Sequence, residues 1–208
     1  MSALKLSPTR YLASVVTGAG VVTALLGMTG PKKSVAIPTF RIVAQDYRYE
    51  LPSEVPSGPV RLQLVNHGQE LHHAQLVRLT QGKTMADMAS LSPDGPPPEW
   101  VIPVGGPNAV GPGDSSSVIE ALPAGNYAIF CFIPSLSDHK EHRMKGMAAE
   151  FRVTERSGAQ PVMPKADLTI RLLDYGFAPS APIAAGRRTI RVVNDGPQLH
   201  ELVLTMLP

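Results

Sequence analysis

From Ile37 onward, apolar and polar residues alternate mostly with a period of two, and the apolar set is rich in β-branched and aromatic side chains interrupted by Pro and Gly. Successive residues of a strand face opposite sides, so this pattern predicts half-buried strands joined by turns. The expected strands are Thr39–Glu50, Val60–Asn66, His72–Leu79, Ser116–Ala121, Tyr127–Ile133 and Ala149–Thr154. Only Thr84–Leu91 (TMADMASL) has helical spacing. Ser92–Gly113 holds seven Pro and five Gly and predicts a long irregular loop, of the kind more often functional than idle. Glu155–Lys165 reads as a linker. The fold class is all-β.

The pattern repeats. Asp46, Tyr47, Tyr49, Gly58, Leu64, Val65, Asn66, Gly68, Leu71 and His72 recur 128 residues later as Asp174, Tyr175, Phe177, Gly186, Val192, Val193, Asn194, Gly196, Leu199 and His200. Ten positions at one offset, eight of them identical, point to two copies of one domain type. The organisation expected is a leader over residues 1–36, a complete domain over 37–155, a linker over 156–165 and an incomplete second repeat over 166–208. About 43 residues bury too little surface to stand alone, so the second repeat is expected to pack on the first domain or on another chain.

Lys5 and Arg10 precede an uncharged run from Tyr11 to Pro31, followed by the small-x-small pattern Ser34-Val35-Ala36. This is the form of a secretory signal peptide; uncleaved, residues 11–31 would be a membrane anchor. Either way the expected location is exported: periplasmic, extracellular, or tethered and facing outside. Lys32 and Lys33 complete a leader without Asp or Glu, and its four cations turn the rest of a formally +2 chain net negative. No basic face remains to argue for nucleic acid.

The single Cys131 excludes an internal disulfide, a four-cysteine zinc site and a CxxC redox pair. GxSxG, Walker A and HExxH motifs are absent from the sequence. What remains is Asn66-x-Gly68-x-x-x-His72, followed by Cys131 and His142-x4-Met147. One thiolate, two imidazoles and a thioether are the donors of a mononuclear copper centre with two His and one Cys in a plane and a weak axial Met. His139 competes with His142, and Met144 with Met147. Strand phase favours His72 over His73: the residues in phase with the repeated His200 are Leu202, Leu204 and Met206, so that phase faces inward. Asn66 and Gly68 read as turn formers, and Trp100 as a lid over the core.

The stretches VNHGQELHHAQLVRL, LPAGNYAIFCFIP and HRMKGMAAEFRV resemble the cupredoxins, the plastocyanin and azurin group of small β-sandwich copper proteins. The resemblance covers about Thr39 to Thr154, and more weakly Ala166 to Pro208. It implies a Greek-key β-sandwich with a partial second copy. It also implies copper as the cofactor, with His72, Cys131, His142 and Met147 as its ligands. One departure is plain: ten residues separate Cys131 from His142, where the family has two to four.

These readings together predict an exported copper-binding protein that transfers single electrons to a redox partner or handles copper, rather than an enzyme. The alternatives are a metal-free sandwich serving as a binding or spacer domain, and a two-domain copper oxidase or nitrite reductase. Phe130 and Phe132 flank Cys131 where the oxidases carry His.

Overall fold

The computed structural model describes residues 35–88, 91 and 95–204; the expected leader lies outside these residues except for its last two. Among the described residues no helix is long and apolar enough to cross a membrane.

Alternation in the sequence becomes two facing sheets. The strands β1 (Thr39–Gln45), β2 (Arg48–Glu50), β3 (Glu54–Pro56), β4 (Gly58–Asn66) and β5 (Gln75–Leu79) come first. After a single helical turn, α1 (Met85–Met88), follow β6 (Val101–Gly105), β7 (Ser115–Leu122), β8 (Gly125–Phe130) and β9 (Ala148–Thr154). One sheet has the order β2-β1-β4-β7 and the other β3-β9-β8-β5-β6. β1 and β4 are parallel, Phe40 opposite Leu62, because the chain crosses to the other sheet as β3 before returning. Phe40, Ile42 and Ala44 of β1 and Val60, Leu62 and Leu64 of β4 point inward. They meet Leu76, Tyr127, Ile129, Phe151 and Val153 of the opposite sheet, with the Phe40 and Phe151 rings 4.5 Å apart. Burying this apolar surface is the main force holding the sheets together.

Several elements differ from expectation for identifiable reasons. Thr39–Glu50 is two strands, because Tyr47 adopts φ 66° and turns the chain into the antiparallel β1–β2 hairpin. The Pro-rich segment contains β6, which runs along β5 at the sheet edge, where Pro103 needs no ladder donor. His72 precedes β5 and pairs only with Val110, as an isolated bridge. Trp100 covers a small cluster of Leu79, Val101 and Ala128, as a lid would.

Beyond the sandwich, β10 (Leu168–Leu173), β11 (Gly176–Pro179) and β12 (Ile190–Asn194) form a separate sheet of order β11-β10-β12. Its pairing parallels that of β2-β1-β4: β10 and β11 are antiparallel, and β10 and β12 are parallel. Tyr175 takes φ 65°, matching Tyr47. Asn194 Oδ1 accepts the Gly196 amide, and Asn194 Nδ2 donates to Gln198 O, as Asn66 does with Gly68 and Glu70. Asn108 Nδ2 donates to Leu202 O at 2.7 Å.

Gly68 is required by close approach. A Cβ there would overlap Asp46 Oδ1 and lie 2.7 Å from His72 Nε2, and Gly196 is hemmed in likewise by Asp174 and His200. Gly68→Ala is expected to force Asp46 off His72 and cost about 1–3 kcal/mol in a denaturant titration; an unchanged midpoint would contradict this. Leu62→Ala, which opens a cavity between the sheets, is expected to cost about 2–5 kcal/mol in the same measurement.

Candidate metal centre

Three chain segments meet at one end of the sandwich. The first is the turn after β4. Asn66 is buried, its Oδ1 accepts the Gly68 amide at 2.8 Å, and its Nδ2 donates to Glu70 O and Val110 O, each at 2.8 Å. This hub delivers His72 into the interior, where reciprocal backbone bonds with Val110 hold it. The second is the end of β8. Cys131 lies one residue past Phe130, its amide reaching Met147 O at 3.3 Å and its carbonyl accepting the Arg143 amide at 2.8 Å. The third is a one-turn 3-10 helix, His142–Lys145, ended by Gly146 at φ 101°. The His142 amide donates to Ile133 O at 2.9 Å, so the turn is tied to the chain just beyond Cys131.

The ligand atoms of His72, Cys131 and His142 lie within 4.8 Å of one another, and all three residues are buried. His72 Nδ1 is 3.1 Å from His142 Nδ1, and Cys131 Sγ is 3.5 Å from His142 Nδ1. Met147 is fully buried in the core cluster that includes Cys131. The competing donors lie elsewhere: Met144 is 57% exposed, and His139 is an exposed turn residue at φ 57°. A ten-residue separation therefore does bring His142 to Cys131, because residues 133–141 fold back as a compact excursion. The Ser135 amide donates to Lys140 O and the His139 amide to Ser135 O.

Each imidazole is gripped from behind by a carboxylate. His72 Nε2 is 2.9 Å from Asp46 Oδ1, and His142 Nε2 is 2.9 Å from Glu70 Oε2. Burial pushes the Asp46 carboxyl up, but bonds from His72 and the Gln69 and Glu70 amides outweigh it and hold the group below the usual range. Glu70 is likewise lowered, its partial burial outweighed by donors from His142, Leu136, Tyr47 and Ser135. Each Nε2 thus faces a carboxylate oxygen, and the two Nδ1 atoms face each other. Two buried imidazole nitrogens with a thiol beside them are a soft donor set of the kind that holds a thiophilic metal. Burial pushes the Cys131 thiol up, against amide bonds from His73 and Ile133 and a bond from Tyr49. A free thiol so placed is inert, but a thiophilic metal would displace its proton. The donors present thus fit copper.

The sequence reading did not find Asp46 and Glu70 as holders of imidazoles, nor the role of His73. The signal for Asp46 was present, since Asp174 recurs with His200 and their side chains pair at 2.8 Å. Glu70 left no such trace. His73 turns away from the ligands, as strand phase implies, and its Nε2 accepts the Phe132 amide at 2.8 Å. Burial, then the nearby His142 and His72, lower its pKa to about 4 and keep it a neutral acceptor.

No protein-family model matches the chain, and no curated protein matches it. Among solved structures it is similar to a dithionite-reduced auracyanin from Roseiflexus castenholzii, at 19% identity and TM-score 0.39, over 57% of this chain and 98% of the other. It is also similar to auracyanin B, at 22% and 0.37, over 58% and 94%. Auracyanin A, a blue copper protein from Chloroflexus aurantiacus, gives 18% and 0.37, over 56% and 99%. Two facing sheets carry His72, Cys131 and His142 into one buried cluster, with Met147 in the same core, which is the architecture expected of a cupredoxin-like sandwich.

Proposed function

We propose that this chain is an exported copper-binding protein that carries single electrons, with His72, Cys131, His142 and Met147 as the residues that would hold the metal. The observation that carries this reading is the pair of Nδ1 atoms 3.1 Å apart, each on a ring whose other nitrogen is committed to a carboxylate, with a thiol at 3.5 Å. Bound copper would supply a couple between its two oxidation states. The chain's own part is to hold the donors still: Cys131 and His142 are locked by backbone bonds to Met147, Arg143 and Ile133, so little rearrangement accompanies a change of charge. The likeness to auracyanins, one of them described as a blue copper protein, agrees with this reading.

Electron exchange needs close approach by a redox partner. Leu71, next to His72, and Phe132, next to Cys131, are exposed large apolar residues, as are Leu136 and Met144 of the loop before and after His142. They are the proposed contact surface. The proposed route of export is the leader with its Lys5 and Arg10 and the run 11–31. The proposed identity of residues 166–208 is a second, partial copy of the same domain, supported by the matching registers and by the Asp174–His200 pair.

Purified chain loaded with Cu(II) is expected to hold one copper and to absorb visible light through a thiolate-to-copper transition. Cys131→Ser is expected to lose that band, and His142→Ala to weaken binding by about 10–100-fold or more. Absence of stoichiometric copper or of the band in the wild-type chain would refute the assignment.

A further inference from the structure

We propose that Glu70 is the positioning residue that makes the long Cys131-to-His142 loop compatible with a copper centre: it pins the loop and biases His142 toward the oxidised metal. This rests on the copper reading above. Chain connectivity alone restrains a ten-residue excursion weakly, and the backbone bonds from His142 to Ile133 and from Arg143 to Cys131 fix only its base. Glu70 accepts four bonds that hold the rest. Its Oε1 takes Tyr47 OH at 3.0 Å and Ser135 Oγ at 3.1 Å, and its Oε2 takes the Leu136 amide at 3.1 Å and His142 Nε2 at 2.9 Å. Two donors belong to the excursion itself, one to the ligand and one to the β1–β2 hairpin. Lys145 Nζ, just past His142, also reaches Ser135 Oγ at 3.2 Å, so both limbs of the loop close on one point.

The internal repeat separates Glu70 from Asp46. The Asp46–His72 pair recurs as Asp174–His200 at the same geometry, and so belongs to the turn common to both copies. The counterpart of Glu70 is Gln198, where His200 joins no metal-type cluster among the described residues. A carboxylate stands where a second imidazole has to be held, and an amide where none does. Gln198 also shows that glutamine fits this turn, since its carbonyl still receives Asn194 Nδ2 at 2.6 Å.

An anionic acceptor on one ring nitrogen makes the other a stronger donor, which favours the more highly charged metal state. Glu70→Gln keeps the shape and one acceptor oxygen but removes the charge. In the full chain, with the exposed Glu54→Gln as control, two changes are expected. Without metal, amide hydrogen exchange over residues 133–142 becomes faster while residues 125–130 stay as in wild type. With copper, the preference for Cu(II) over Cu(I) falls about tenfold, equivalent to a rise of about 59 mV in reduction potential. Unchanged loop exchange, or a potential equal to wild type, overturns the proposal. A wild-type chain that binds no copper would sink the functional reading instead, and the metal-free exchange comparison would still decide whether Glu70 holds the loop. Should Glu70→Gln lack the wild-type circular dichroism, Ser135→Ala removes one loop donor from the same carboxylate. Faster loop exchange there supports the pinning, and unchanged exchange overturns it.

Discussion

Two imidazoles whose Nδ1 atoms meet across 3.1 Å in the buried interior are held in that one place by the surrounding fold. Each ring is bonded on its far side to a carboxylate, and the backbones bearing the rings are tied to different parts of the sandwich. His72 hangs from the Asn66 turn and Val110, and His142 from Ile133 and the 3-10 turn. Sandwich, turn and loop can be understood as three ways of bearing one load, the holding of two imidazoles and a thiol in one place.

The load is shared unevenly between general and particular devices. Asn66, Gly68 and Asp46 form a unit whose Asn-to-Gly and Asp-to-His bonds recur at Asn194, Gly196 and Asp174, so those bonds are a property of how this β1–β4 arrangement turns its corner. The Cys131 to Met147 segment appears once among the described residues and depends on contacts that are distant in sequence. Glu70 to Ser135 and Glu70 to His142 are the clearest of these.

That division explains what could be read from the residues alone. β4 was legible because Val60, Leu62 and Leu64 alternate with Arg61 and Gln63, and burial follows that alternation in the structure. The inward position of His72 was legible from the phase it shares with Ala74 and Leu76, both buried; in the phase of His200, by contrast, Leu204 is exposed. The break after Gln45 was not legible, since alternation runs on through a tyrosine at positive φ. β6 was hidden by its proline, and a propensity argument cannot know that the strand lies at an edge. Spacing could name His139 and His142 as rivals but not choose between them, because the choice is made by which backbone amide finds the Ile133 carbonyl.

The lone thiol has one more consequence. A single unpaired cysteine is a hazard wherever oxidants circulate, being open to sulfenic acid formation or to cross-linking with another chain, and both start from an exposed thiolate. Here the sulfur is wholly buried, burial disfavours its ionised form, and the rings before and after it, Phe130 and Phe132, lie tilted to each other at 6.0 Å with the Arg143 guanidinium over Phe132. The metal-free chain is thereby built to wait: its most perishable atom is shielded from chemical damage until a metal reaches it.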